Sequence, residues 1–249
     1  MSSQESVSKT ITVAGVVCLV CSIVVSTAAV VLKPLQDTNK VLDKKQNILA
    51  AAGLNDIDKS VDELFESIEI RMVDFKTGEY VEYDPAKPYN QKKAAKDPEL
   101  GFILDGADDI AGIKRQAKRG LVYLAKDEQG EVETIILPVH GYGLWSTLYG
   151  FLALESDAVT IKGLGFYEHA ETPGLGGEVD NPNWKAQWGG KKLFDADGNP
   201  AVTLYKGVVD STTKDGQYKF DSLSGATITS RGVENLLRYW ASEGALGRT

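Results

Sequence analysis

Beyond residue 21 the sequence contains no cysteine, and the whole chain has only two histidines, His140 and His169. A disulfide framework and a thiolate-ligated metal are therefore excluded from everything after Cys21. The histidines show no H-E-x-x-H pattern and no carboxylate–His spacing, so no residue is assigned to a metal. A P-loop is missing. Gly163-Leu164-Gly165 lacks the third glycine and the following helix of a dinucleotide fingerprint, and no G-x-S-x-G elbow occurs. No side chain is assigned a catalytic role, which leaves any chemistry to a bound cofactor. Positive charge is also scarce: a formal net charge of −8 repels phosphate backbones and excludes nucleic acid as a partner. What remains is ordinary globular composition, 43% hydrophobic and 25% charged. At 249 residues it suffices for one substantial domain with an appendage, or two small domains.

One long stretch has no charge. Residues 10–32 (TITVAGVVCLVCSIVVSTAAVVL) would span roughly 35 Å as a helix, against a hydrocarbon core of about 30 Å. Lys9 and Lys33 bracket the stretch where ammonium groups reach the interface. Cys18 and Cys21 lie inside it, so their C-x-x-C spacing reads as lipid-facing or packing residues, against a redox or metal motif. A cleaved signal peptide is the competing reading. Its apolar core runs to about 7–15 residues, shorter than this one, and only Ser26-Thr27-Ala28 resembles a cleavage site. The expected division is a tail over 1–9, a transmembrane helix over 10–32 and a soluble domain over 33–249. Lys33, Lys40, Lys44 and Lys45 follow the stretch while Lys9 alone precedes it, a bias toward a cytoplasmic C-terminal domain.

Residues 33–52 pattern as a helix, with Val41, Leu42, Ile48 and Leu49 apolar and Gly53 at its end. Ser60 and Glu63 fit a capping box for a helix through Ile68. The period then shifts toward two: 68–75 and 80–83 read as a hairpin, as do 121–126 and 131–139, with further strands at 149–155 and 159–167. Residues 84–116 read as an exposed polar excursion, and 141–150, 171–177 and 184–190 as loops rich in Gly and Trp. Val233, Leu236, Leu237 and Trp240 give one apolar helical face, capped by Thr229 or Ser230 at its start and ended by Gly244. The expected fold is α+β: an N-terminal transmembrane helix, then one soluble domain of mostly antiparallel strands with flanking helices.

Before that last helix stands Asp221-Ser222-Leu223-Ser224-Gly225-Ala226-Thr227-Ile228-Thr229. On composition alone it is a strand end and a turn, with Thr229 as an N-cap. The stretch also resembles the flavinylation motif of the FMN-binding domain family: an Asp, then Ser/Thr-Gly-Ala-Thr, then a further Ser/Thr. Gly143-Leu144-Trp145-Ser146-Thr147-Leu148-Tyr149-Gly150-Phe151 and Glu171-Thr172-Pro173-Gly174-Leu175-Gly176-Gly177 resemble segments of one subfamily. That subfamily is the C subunits of sodium-translocating NADH:quinone reductases. The related G subunit of Rnf complexes shares the anchor and both the E-T-P-G-L-G and S/T-G-A-T stretches. A membrane-anchored flavin sensor is a further alternative.

The resemblance implies covalent FMN, joined by a phosphoester to Thr227, with Ser224, Gly225, Ala226, Asp221 and Thr229 completing the motif. Asp221 either fixes the loop or serves recognition. It implies a dedicated flavin transferase using FAD and Mg²⁺ as a maturation partner, and the B subunit as an electron-transfer neighbour. The chain would act as one subunit of the oxidoreductase and not catalyse alone. Trp145, Thr172, Gly174 and Leu175 are expected around the flavin ring, while Trp184, Trp188, Trp240 and His169 are expected to be structural. The family places such a domain outside the cytoplasmic (inner) membrane, against the lysine bias.

Overall fold

The computed structural model describes residues 6–54, 59–127, 129–210 and 212–247. The uncharged stretch and the amphipathic one after it form a single helix, α1 (Val7–Ala51), where two segments were expected. Pro34 lies within it. A proline costs its helix one N–H donor but leaves the carbonyls in place, and the Thr38 hydroxyl bonds the Pro34 carbonyl at 3.1 Å. The apolar part of α1 is long enough to cross a membrane and is entirely unburied. Contacts divide the chain into two compact units, 1–44 and 45–249.

Gly53 stops α1 as expected, at φ +71°. Leu54 N–H bonds Leu49 O at 2.9 Å and Gly53 N–H bonds Ala50 O at 3.1 Å, the paired pattern of a Schellman ending. The short helix α2 (Val61–Phe65) opens with the expected capping box. Ser60 Oγ accepts from Glu63 N–H at 3.3 Å, and Glu63 Oε2 accepts from Ser60 N–H at 2.7 Å.

The framework of the larger unit is a six-stranded antiparallel sheet. Its strands are β1 (Ile68–Asp74), β2 (Tyr80–Val81), β5 (Arg119–Lys126), β6 (Val132–Tyr142), β7 (Thr147–Glu155) and β8 (Ile161–Glu168), in the order β2-β1-β5-β6-β7-β8. Both faces are covered, which explains why β7 reads as nearly continuous apolar residues. Leu148, Leu152 and Leu154 enter one core with the terminal helix α5 (Thr227–Trp240). Phe151 and Ala153 enter the other, with Ile48, Leu49 and Ala51 from the end of α1 and the half-buried Phe65 of α2.

The excursion over 84–116 has more structure than its polar composition indicated. It holds helix α3 (Gln91–Ala94) and the pair β3 (Gly101–Ile103) with β4 (Arg115–Ala117). Small residues carry the packing, with Ala94, Ala111 and Ala117 buried. The span 184–190 is also not a plain loop, because helix α4 (Pro182–Ala186) starts before it. Asn181 caps α4 by accepting from Asn183 N–H, and Pro182 takes a first-turn position where no N–H is needed. Nor is 141–150 a loop throughout, since β6 runs to Tyr142 and β7 resumes at Thr147. Strands β9 (Thr203–Tyr205) and β10 (Lys219–Asp221) form a small parallel pair.

Helix α5 buries the expected face: Val233, Leu236, Leu237 and Trp240 are all closed to solvent. Its ends differ from expectation. Thr229 and Ser230 lie inside the first turn, not at the cap: the Thr229 hydroxyl bonds Glu171 across the fold, and Ser230 Oγ bonds the turn just before the helix. The helix ends at Trp240, ahead of Gly244; there the Ser242 hydroxyl takes the Tyr239 carbonyl at 2.6 Å.

Candidate functional site

Strand β10 delivers Asp221 to a fixed position. Its N–H donates to Gln187 Oε1 at 2.6 Å, and its carbonyl accepts from Trp184 Nε1 at 2.9 Å. Its carboxylate accepts from Val209 N–H at 2.7 Å, which ties down the neighbouring loop. Asp221 therefore fixes the approach to the turn. The chain reverses through Gly225, which takes the left-handed φ of +72° that a side chain would resist. Ser230 Oγ holds the turn from within, accepting from Leu223 N–H at 2.9 Å and donating to the Ala226 carbonyl at 3.0 Å.

The two motif threonines have opposite surroundings. Thr227 is the first residue of α5 and is exposed. Thr229 is 0% exposed, and its hydroxyl donates to Glu171 Oε2 at 2.7 Å. Ala226 sits at the cap position and supplies no side-chain acceptor to the first turn. An anion placed there would meet free N–H groups and the positive end of the helix dipole.

Glu171 is the hub that sequence reasoning missed. Its Oε1 accepts from the N–H groups of Leu144, Trp145 and Ser146 at 3.1, 2.9 and 3.3 Å. One carboxylate, 5% exposed, thus joins the β6–β7 turn, its own glycine-rich loop and the first turn of α5. Burial pushes its pKa up, but the bonds from Thr229, Trp145, Leu144 and Ser146 outweigh burial and hold it below its ordinary value. Two glycines let the backbone wrap this closely. A Cβ at Gly143 would stand 2.7 Å from Glu171 Oε1, and one at Gly176 would stand 2.6 Å from Thr229 Oγ1.

The glycine-rich loop folds on itself, with Leu175 and Gly177 N–H groups both bonded to Thr172 O. Thr172 and Gly174 are exposed, and Gly174 adopts φ +76° facing open space. Leu175 reaches across to the Gly225 turn, its Cδ2 lying 3.2 Å from where a Gly225 Cβ would be. Trp145 is 65% exposed, Ile228 58% and Leu175 45%, so the segments tied by Glu171 each present an apolar side chain to solvent. Ser224 stands exposed before Gly225. His169 supports the loop from behind: Nε2 lies 2.8 Å from Asp180 Oδ2 and Nδ1 accepts from Glu171 N–H at 3.2 Å. Trp184, Trp188 and Trp240 are core residues.

The FMN-binding domain family model matches residues 143–242, which enclose all three joined segments. The C subunit of the Na(+)-translocating NADH-quinone reductase of Pseudomonas aeruginosa is 52% identical over 244 residues, covering 96% of this chain and 93% of that one. Its namesake from Vibrio vulnificus is 48% identical over 248 residues, covering 99% and 95%. The chain belongs to the family of Na⁺-translocating NADH-quinone reductase C subunits. Solved members agree with the fold. Shewanella oneidensis NqrC superposes with a TM-score of 0.78 at 33% identity, covering 84% of this chain and 96% of that one. The C subunit from Parabacteroides distasonis gives 0.64 at 30% identity, covering 86% and 94%.

The residues of this chain suit FMN on their own terms. A phosphate fits a helix start whose cap residue is alanine. A flat apolar ring system fits beside Trp145, Leu175 and Ile228, which otherwise leave apolar surface in water.

Proposed function

We propose that this chain carries FMN through a phosphoester on the Thr227 hydroxyl and relays electrons within a Na⁺-translocating NADH-quinone reductase. The observation that carries the acceptor assignment is the contrast between the two threonines. Thr227 is exposed at an uncapped helix start, while Thr229 is buried and hydrogen-bonded to Glu171. A threonine hydroxyl is a weak nucleophile without a base, so Thr227 serves as acceptor for a flavin transferase that uses FAD and Mg²⁺. Bound FMN supplies the one-electron chemistry. The chain's own part is to anchor the phosphate at α5, to hold Trp145, Leu175, Thr172 and Gly174 about the ring, and to keep the site open to a neighbour. Ser224, Gly225 and Ala226 give the transferase close access to the backbone.

Residues 10–32 are assigned to the inner membrane, with 33–249 as the soluble flavin domain on its periplasmic side and the B subunit as electron-transfer neighbour. Assembly overrides the weak lysine bias in this reading. Complete protease protection of the domain in right-side-out spheroplasts would reverse that placement.

The deciding experiment expresses the full chain with the transferase and views a denaturing gel under ultraviolet light, with intact mass as a check. Wild type and Thr229→Val carry fluorescence and the mass of one FMN ester, whereas Thr227→Val is dark. A dark wild-type band, or fluorescence retained in Thr227→Val, removes the assignment.

A further inference from the structure

We propose that Glu171 is a positioning residue whose buried negative charge sets the reduction potential of the flavin and whose hydrogen bonds fix the flavin's surroundings. This deepens the reading of Thr227 as the FMN acceptor and rests on it.

Burying a carboxylate without compensation is expensive, and well-packed apolar residues often serve stability equally well. Here the penalty is offset by four neutral donors: three backbone N–H groups of the β6–β7 turn and the Thr229 hydroxyl. Among the described residues no Lys, Arg or His forms an ion pair with Glu171. Dipoles steady the charge but do not cancel it, so a net negative field persists beneath the exposed side chains of Trp145, Leu175 and Ile228. The carboxylate is one hydrogen bond from Thr229, two residues beyond the acceptor. An anion so placed opposes the arrival of an electron on a neighbouring flavin and lowers its potential.

The same bonds fix geometry. Trp145 is held through its backbone at 2.9 Å, and Thr229 anchors the turn that bears Thr227. Gly143 and Gly176, each lacking room for a Cβ, show backbone drawn in around both carboxylate oxygens. Losing the clamp therefore loosens both sides of the flavin at once.

The test uses the full chain in detergent, matured with the transferase. Glu171→Gln keeps the shape and removes the charge; its Oε1 still accepts from the three N–H groups, while its Nε2 donates to the Thr229 hydroxyl, which turns from donor to acceptor. Its flavin stays on Thr227, and spectroelectrochemistry shows the first one-electron reduction favoured about tenfold more, about 59 mV more positive. Thr229→Val keeps the charge and breaks one bond. Its visible circular dichroism from the flavin weakens, and Thr229→Ser restores it. A flavinylated Glu171→Gln with the wild-type potential overturns the electrostatic role, and an unchanged dichroism in Thr229→Val overturns the clamp. Wild type without flavin on Thr227 overturns the acceptor assignment itself, and is told apart by its mass. Thr229→Val and Thr229→Ser supply the decision on the clamp where Glu171→Gln does not fold.

Discussion

His140 shows how a single residue outside the flavin site couples the fold to pH. Its ring stacks on Tyr149 at 5.3 Å and meets Trp240 at 4.9 Å, while Lys92 lies 3.3 Å from the centre of the Tyr149 ring. Burial, then the Lys92 charge, lower its pKa to about 4, with Asp109 opposing. The unfolded chain takes up this proton near pH 6.5 and the folded one only near 4, so stability is lost as pH falls between them. The depressed carboxyl of Glu171 extends the loss below that window. Denaturant titrations should show His140 costing about 3 kcal/mol across it. His140→Phe, which keeps the ring, should flatten that slope. At this scale the turn that exposes Thr227 was legible, because Asp221, Gly225 and Thr227 are close neighbours in sequence. The Glu171 hub was not: its partners lie 26 and 58 residues away, and no local pattern announces such a bond. For the same reason Thr229 looked like a cap until its hydroxyl was seen bonding Glu171.

Among the elements, α5 and β6 meet at glycine. A Cβ on Gly232 would lie 2.5 Å from the Tyr142 carbonyl, and one on Gly141 would lie 2.4 Å from Leu236 Cβ. Alanine for glycine within a helix ordinarily gains about 1 kcal/mol. At Gly232 the clash is with backbone, which does not yield as a flexible side chain would. Gly232→Ala should therefore lower stability by about 1–3 kcal/mol in denaturant melts. Strands β5 to β8 and the apolar face of α5 were legible because long periodic segments declare themselves. The contents of 84–116 were not, since its buried contacts rest on alanines inside a polar sequence. Helix α4 escaped notice because its start, Asn181-Pro182, also signals a turn.

On the scale of the molecule, sequence alone pointed to an apolar N-terminal helix and an antiparallel soluble domain, and the solved members of the family share that domain. Continuity of α1 across Pro34 was not readable, because a proline with apolar and amphipathic neighbours is equally consistent with a break. The bare cap at Ala226 has an effect on the molecule as a whole. A missing cap costs a helix about 1 kcal/mol, and the proposed ester on Thr227 would provide the acceptor that alanine withholds. Calorimetry should find the yellow protein melting a few degrees above its colourless precursor, with Thr227→Val melting like the precursor. Under the proposed attachment, heat or a protease would then cull immature chains first, and the pigment would double as a certificate of completed manufacture.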